Sequence, residues 1–305
     1  MRFTLKQLEY FVAAGERGSI TFASEKVNIS QPSISAAISH LESEFGVQLF
    51  IRHHAQGLSL TPEGVRLLRD ARALLRQADE LQSVAGELSD QVTGPLAIGC
   101  LVTVYPLLVP ELVHSFRKRF ASARVHAVAS DQSGLIDRLR SGEITIAVTY
   151  NLSIPTDMEF EPLAQLPPFV FVAASHPLAR HRSVSLKTVA AEPFLLLDLP
   201  FSREYFLALF HQIGVAPRMA GRFEHMDVIR SLVARGDGFG MGNIKPRTRA
   251  SLDGRRLAYL DLQEKFAPLV LGIASVKGMR HTRRAQAFIE LCRELVRVGQ
   301  VPGTA

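Results

Sequence analysis

The chain has 305 residues, 47% of them apolar, with 35 Lys plus Arg against 29 Asp plus Glu, 10 His, 2 Cys and no Trp, a formal net charge of +6. This composition excludes a disordered chain and a disulfide scaffold and suits a well-cored protein of two or three domains. Residues 1–92 hold 9 basic and 11 acidic residues and the remainder 26 and 18, so bulk charge says little about nucleic acid and local geometry has to decide.

At the N-terminus, Glu9 interrupts what a signal peptide needs to be an unbroken apolar stretch. The longest apolar runs, 169–174 and 269–274, are too short to span a bilayer. Cys100 and Cys292 are far apart, with no CxxC and no zinc spacing. A cytoplasmic protein is expected, with no membrane association, no metal and no cofactor.

Residues 1–62 read as short helices broken at regular points. Thr4 and Gln7 have capping-box spacing, and Leu5, Leu8, Phe11 and Val12 form one stripe before Arg17-Gly18. A second helix covers 20–26. A third starts at the N-cap Ser30 with Pro32 in its first turn, carries Ile34, Ile38, Leu41 and Phe45 on one face, and closes at Gly46. Its opposite face offers Ser33, Ala36, Ser39 and His40, small or hydrogen-bonding groups suited to entering a major groove N-terminus first. Ser30, Gln31 and Ser33 at that end supply donors for phosphates or base edges. The plain alternative is a small three-helix core with serines outside.

Residues 63–92 contain no Pro, and Leu67, Ala71, Leu74, Ala78, Leu81, Ala85 and Leu88 keep a 4-3 spacing over three heptads. Such a seam either packs on its own domain or pairs with a second copy, and its narrowness favours the second copy. From Gly94-Pro95 strands alternate with amphipathic helices: strands over 96–100, 125–129, 144–149, 169–174, 194–197, 239–242 and 269–275, helices over 106–120, 132–140, 203–213, 226–235 and 281–297. The alternation predicts an α/β region with largely parallel sheets. At some 210 residues it splits into two lobes, about 93–163 with 267–305 and about 164–266.

Ala23-Ser24, Ser30-Gln31-Pro32-Ser33-Ile34-Ser35, Leu41-Glu42, Phe45-Gly46, Leu49-Phe50, Arg52 and Leu60-Thr61-Pro62-Glu63-Gly64 together resemble the DNA-binding signature of LysR-type transcriptional regulators. The likeness extends over the whole chain. It implies an N-terminal all-α winged helix-turn-helix (1–62), a long dimerising linker helix (63–92), and an α/β two-lobed effector domain resembling a periplasmic binding protein (93–305). The DNA-contacting set implied is Ser30, Gln31, Pro32, Ser33, Ser35, Ala36, Ser39, His40, Arg52 and His53. Relatives often carry Arg or Lys where Ala36 stands and more than one fixed charge in the wing, which leaves Arg52 as the strongest candidate for a phosphate or minor-groove contact. His53 and His54 read as polar wing surface rather than metal ligands.

The resemblance also places Thr103, Gln132 and Ser133 in the effector pocket, facing Ser202 and Arg203, with Tyr150 at the end of a neighbouring strand. Each of Thr103, Asp131 and Ser202 reads equally well as an ordinary helix cap. Helix N-termini plus Arg203 favour an anionic effector, a small carboxylate. Some family members sense peroxide through cysteines close together in the second lobe, whereas Cys100 and Cys292 read as buried structural thiols. Gly236, Gly238, Gly240 and Gly242 lack dinucleotide-site spacing and read as a strand edge approaching the cleft.

The expectation is a non-enzymatic, sequence-specific regulator controlled by a small-molecule effector. It acts as a homodimer or homotetramer on an interrupted inverted repeat of double-stranded DNA and contacts RNA polymerase at the promoter. Against a solute-binding or catalytic α/β protein, the sequence shows no export signal and no GxSxG, P-loop or metal cluster. An architectural DNA-binding protein leaves the cleft-forming region without a role.

Overall fold

A computed structural model describes residues 2–53, 57–86 and 92–300. Two units result, Met1–Gln91 with Arg140–Glu143, and Val92–Leu139 with Ile144–Ala305.

In the first unit, α1 (Leu5–Arg17) opens on the capping box: the Thr4 amide donates to Gln7 Oε1 at 2.8 Å and the Gln7 amide to Thr4 Oγ1 at 3.2 Å. It stops at Gly18, φ +61, where a Cβ would lie 2.3 Å from the Leu58 carbonyl oxygen, so only glycine fits. The α2 helix (Ile20–Val27) is capped by Ser19 and ends at Asn28, and α3 (Gln31–Phe45) is capped by Ser30. A short hairpin follows, β1 (Phe50–His53) antiparallel to β2 (Gly57–Leu60), and then α4 (Pro62–Gly86). Four-residue strands are too short for an alternation pattern to show, so only the resemblance pointed to a wing here, and the hairpin makes the head not all-α. His54, Ala55, Gln56 and Leu88 lie outside the described residues.

Leu8, Phe11, Ile34, Ile38, Leu41, Leu49 and Phe50 form the core of this unit, with Phe11 edge-on to Phe50 at 5.5 Å. Burying each such side chain contributes about 2 kcal/mol. Leu68 and Ala71 from the first turns of α4 join the same core. Further along α4, Leu74 and Leu81 are 37% and 73% exposed.

The second unit has two lobes with separate cores. Lobe I is a five-stranded sheet built from β3 (Gly94–Leu101), β4 (Ala123–Ser130), β5 (Ile146–Tyr150), β6 (Met158–Leu166) and β13 (Leu269–Val276), in the order β4-β3-β5-β13-β6. Its helices are α5 (Tyr105–Arg119), α6 (Gln132–Arg140) and α10 (Arg283–Arg297). Lobe II contains β7 (Phe169–Ala173), β8 (Ser183–Val184), α7 (Leu186–Val189), β9 (Pro193–Leu197), α8 (Ser202–Gln212), β10 (Arg218–Phe223), α9 (Met226–Arg235), β11 (Gly240–Gly242) and β12 (Leu257–Leu262). A four-stranded sheet runs β11-β7-β12-β8, β10 pairs with β9, and a bridge from Phe194 to Phe239 adjoins the two.

Strands β4, β3 and β5 are parallel, but β13 runs antiparallel to β5 and β6, and β7 antiparallel to β11 and β12. The sheets are therefore mixed rather than largely parallel, because the chain leaves lobe I after β6 and returns to its sheet as β13 from the far end. Among the described residues no helix is long and apolar enough to cross a membrane.

Candidate functional site

On α3 the buried face holds Ile34, Ala37, Ile38 and Leu41. Ser30, Gln31, Pro32, Ser33, Ala36, Ser39 and His40 are exposed, and Ser35 is half-buried at the margin. Ser30 Oγ and Ser33 Oγ are hydrogen-bonded at 2.8 Å, closing the cap. The first turn carries no acidic side chain, so the positive end of the helix dipole is unscreened and open to an anion such as phosphate.

Arg52 and His53 are both exposed on β1, and His53 Nε2 lies 2.8 Å from Ser59 Oγ across the hairpin. Three other residues of the sequence signature fix this hairpin against α3 and α4. Glu42 Oε1 accepts from the Leu49 amide at 2.8 Å and the Phe50 amide at 3.2 Å. Thr61 Oγ1 donates to the Gln48 carbonyl at 2.7 Å and accepts from the Gly64 amide at 2.9 Å. A Cβ at Gly64 would lie 2.1 Å from the Leu49 carbonyl oxygen, which excludes any larger residue there.

Between the lobes of the second unit lies a cavity of about 170 Å³. Its walls are the turn before α5, the first turns of α8 and α9, the start of β7, and the segment after β11. Thr103, Tyr150 and Ser202 line it. The residue before Ser202, Phe201, has φ +64, a conformation costly for a residue with a side chain and retained where surrounding structure demands it.

Gln132, Ser133 and Arg203 do not line this cavity. Gln132 is buried, its Nε2 donates to the Leu152 carbonyl at 2.8 Å and the Tyr150 carbonyl at 3.3 Å, and the Thr149 hydroxyl donates to its Oε1. It anchors the end of β5. Ser133 is half-buried in the first turn of α6. The Arg203 guanidinium is paired with Asp198 at 2.8 Å and Glu204 at 2.6 Å, both of which hold its pKa up. The cation on which the anionic-effector expectation rested is thus outside the cavity and already neutralised.

Sequence reasoning missed most of the wall. Phe169 and Phe171 alternate along β7 onto the cavity side, and Tyr205 and Phe206 sit one turn beyond Ser202. Glu224, Asp227 and Arg230 come from the start of α9 and the residues before it, and Gly242 and Asn243 from the end of β11. Asn243 Nδ2 donates to the Leu166 carbonyl at 3.1 Å and to Tyr205 Oη at 3.0 Å. Burial raises the pKa of both Tyr150 and Tyr205, so both phenols are neutral. The rule that ligands meet strand ends and helix starts could have flagged the α9 turn, which carries no motif.

Cys100 and Cys292 are buried in the core of lobe I, and desolvation pushes both thiols up. Among the described residues no three His, Cys, Asp or Glu side chains gather as a metal site would need.

Residues 5–65 match the family "Bacterial regulatory helix-turn-helix protein, lysR family" and residues 89–297 match "LysR substrate binding domain". The chain is similar to the HTH-type transcriptional regulator YcgK of Bacillus subtilis, 31% identical over 314 residues that cover 95% of this chain and 94% of the relative. It is similar in fold to a LysR family transcriptional regulator of Pseudomonas aeruginosa, 36% identical with TM-score 0.66, covering 97% of this chain and 100% of that one. HinK of the same organism is 36% identical with TM-score 0.64, covering 96% and 98%. The chain therefore belongs to the LysR family of transcriptional regulators, with a helix-turn-helix DNA-binding domain followed by the family's substrate-binding domain.

Proposed function

We propose that α3 reads a DNA major groove through Gln31, Ser33, Ala36, Ser39 and His40. Ser30, Pro32 and Ser35 set the approach of its N-terminus, and Arg52 with His53 track the adjacent backbone or minor groove. The observation that carries this is the division of α3 into a buried apolar face and an exposed face of small and hydrogen-bonding groups, ending in an unscreened positive helix terminus.

Two copies pair along α4 to form a homodimer, or a homotetramer built from it. Leu74 and Leu81 support this reading, because they are large apolar groups left exposed on a seam spaced for a partner helix. Paired heads address an interrupted inverted repeat of double-stranded DNA.

A small-molecule effector occupies the cavity between the lobes and shifts the population of lobe arrangements, which changes the spacing of the heads and the bend of the DNA. The output is made at RNA polymerase on the promoter. The protein acts in the cytoplasm and performs no catalysis.

Footprinting the DNA upstream of the protein's own coding region tests this reading. An interrupted dyad protected by the protein, and unprotected by an Arg52→Ala, Gln31→Ala double variant, is the expected result. No protection at low salt on that or any other genomic fragment would overturn it.

A further inference from the structure

We infer that the effector is an uncharged molecule about the size of one aromatic ring, carrying a hydrogen-bonding group that meets Ser202. The inference rests on the proposal that the cavity between the lobes is the effector site.

Size comes first. A cavity of about 150 Å³ lined by apolar side chains holds benzene, and this one has about 170 Å³. There is room for one ring and a short substituent. Phe169, Phe171, Tyr205 and Phe206 supply aromatic walls, which favour a flat, polarisable ligand packed edge-on or offset.

Charge comes second. Arg230, 5% exposed, is the only Lys or Arg among the residues lining the cavity. Its Nη1 donates to Tyr259 Oη at 2.6 Å and its Nη2 to the Ala250 carbonyl at 2.8 Å, and Asp227 balances its charge from 3.8 Å. A ligand carboxylate drawn to Arg230 would compete with Tyr259, the Ala250 carbonyl and Asp227 for a guanidinium already engaged, and would meet Glu224 at the exposed rim. A ligand ammonium finds no buried carboxylate, since Glu224 and Asp227 are both solvent-exposed and Asp227 is already balanced. A neutral ligand incurs neither cost.

Hydrogen bonding comes third. Tyr205 Oη accepts from Asn243 Nδ2 and keeps its own hydroxyl proton to donate. The Ser202 hydroxyl lines the cavity on a residue 7% exposed and has no hydrogen-bond partner among the described residues. A hydroxyl open to the cavity in this way can donate to or accept from a ligand group.

The test is a charge series on one ring: calorimetric titration of the full-length protein with benzyl alcohol, benzylamine and benzoate at neutral pH. Benzyl alcohol is expected to bind about tenfold or more tightly than benzoate, with benzylamine between them. Ser202→Ala is expected to weaken benzyl alcohol by about fivefold to tenfold without shifting the melting temperature. Leu107→Trp, which fills the cavity from its half-buried side, is expected to abolish binding.

Benzoate or benzylamine binding as tightly as benzyl alcohol would overturn the neutral class, as would the absence of benzyl alcohol binding. Benzyl alcohol binding that Leu107→Trp leaves intact in a folded variant would instead overturn the cavity as the effector site.

Discussion

Glu42 is predicted to hold the wing hairpin in place, so its loss should loosen that hairpin while leaving the helical core folded. The carboxylate is the acceptor for the amides of Leu49 and Phe50, the residues that lead into β1. Hydrogen bonds to charged acceptors are worth about 1.5–3 kcal/mol each. Here both amides share one oxygen at a half-buried site, so the pair together contributes about 2 kcal/mol. In the Glu42→Ala variant these amides should exchange with deuterated solvent roughly 30-fold faster, while those of α1 and α3 keep their protection. Glu42→Gln retains an acceptor oxygen and should show less than half the effect in free energy. Exchange at Leu49 and Phe50 that changes by less than about threefold in Glu42→Ala would refute the reasoning.

Gly64→Ala drives a Cβ to 2.1 Å from the Leu49 carbonyl oxygen and should destabilise the N-terminal unit by about 3 kcal/mol or more, read as a fall in melting temperature. In lobe I the hydrogen bond from Arg293 holds the Glu161 carboxyl below its ordinary 4.5. That stability is fully present above about pH 4.5 and is lost as pH falls toward the lowered value. Melting curves between pH 6 and pH 3 should therefore fall more steeply for the wild type than for Glu161→Gln. Cys100 and Cys292, buried with raised thiol pKa values, should resist a thiol reagent until the protein unfolds, and peroxide should leave DNA binding unchanged.

The DNA-binding head was legible because its signals are local. Caps at Thr4 and Ser30, stops at Gly18 and Gly46, and the buried stripe of α3 each lie within a turn or two of the residue they control. Glu42, Thr61 and Gly64 were recognisable as part of a signature, but only the folded hairpin shows what each does. Strand β6 escaped because Pro162 and an irregular burial pattern hide its alternation, and a register shift against β13 accommodates it. Strand β10 is mostly exposed, from Arg218, Met219 and Ala220 to Arg222, and offers no buried apolar period.

The cavity was legible only where strand ends and helix starts announce themselves, at Thr103, Tyr150 and Ser202. Its aromatic wall gathers residues from 169, 171, 205 and 206, and its charged residues come from 224 to 230, positions brought together by the lobe crossings and by no motif. Arg203 misled for a related reason: position in sequence beside Ser202 does not fix direction, and Asp198 with Glu204 draws its side chain outward.

The central claim is that α3 reads sequence while Arg52 supplies sequence-independent grip. Its most direct test is the ratio of operator affinity to random-DNA affinity, measured across a salt series for wild type, Gln31→Ala and Arg52→Ala. The account predicts that Gln31→Ala lowers that ratio by roughly 5-fold to 150-fold per half-site. Arg52→Ala should weaken both DNAs alike and reduce the salt slope by about 0.9 per lost contact. A ratio unchanged by Gln31→Ala would contradict the account.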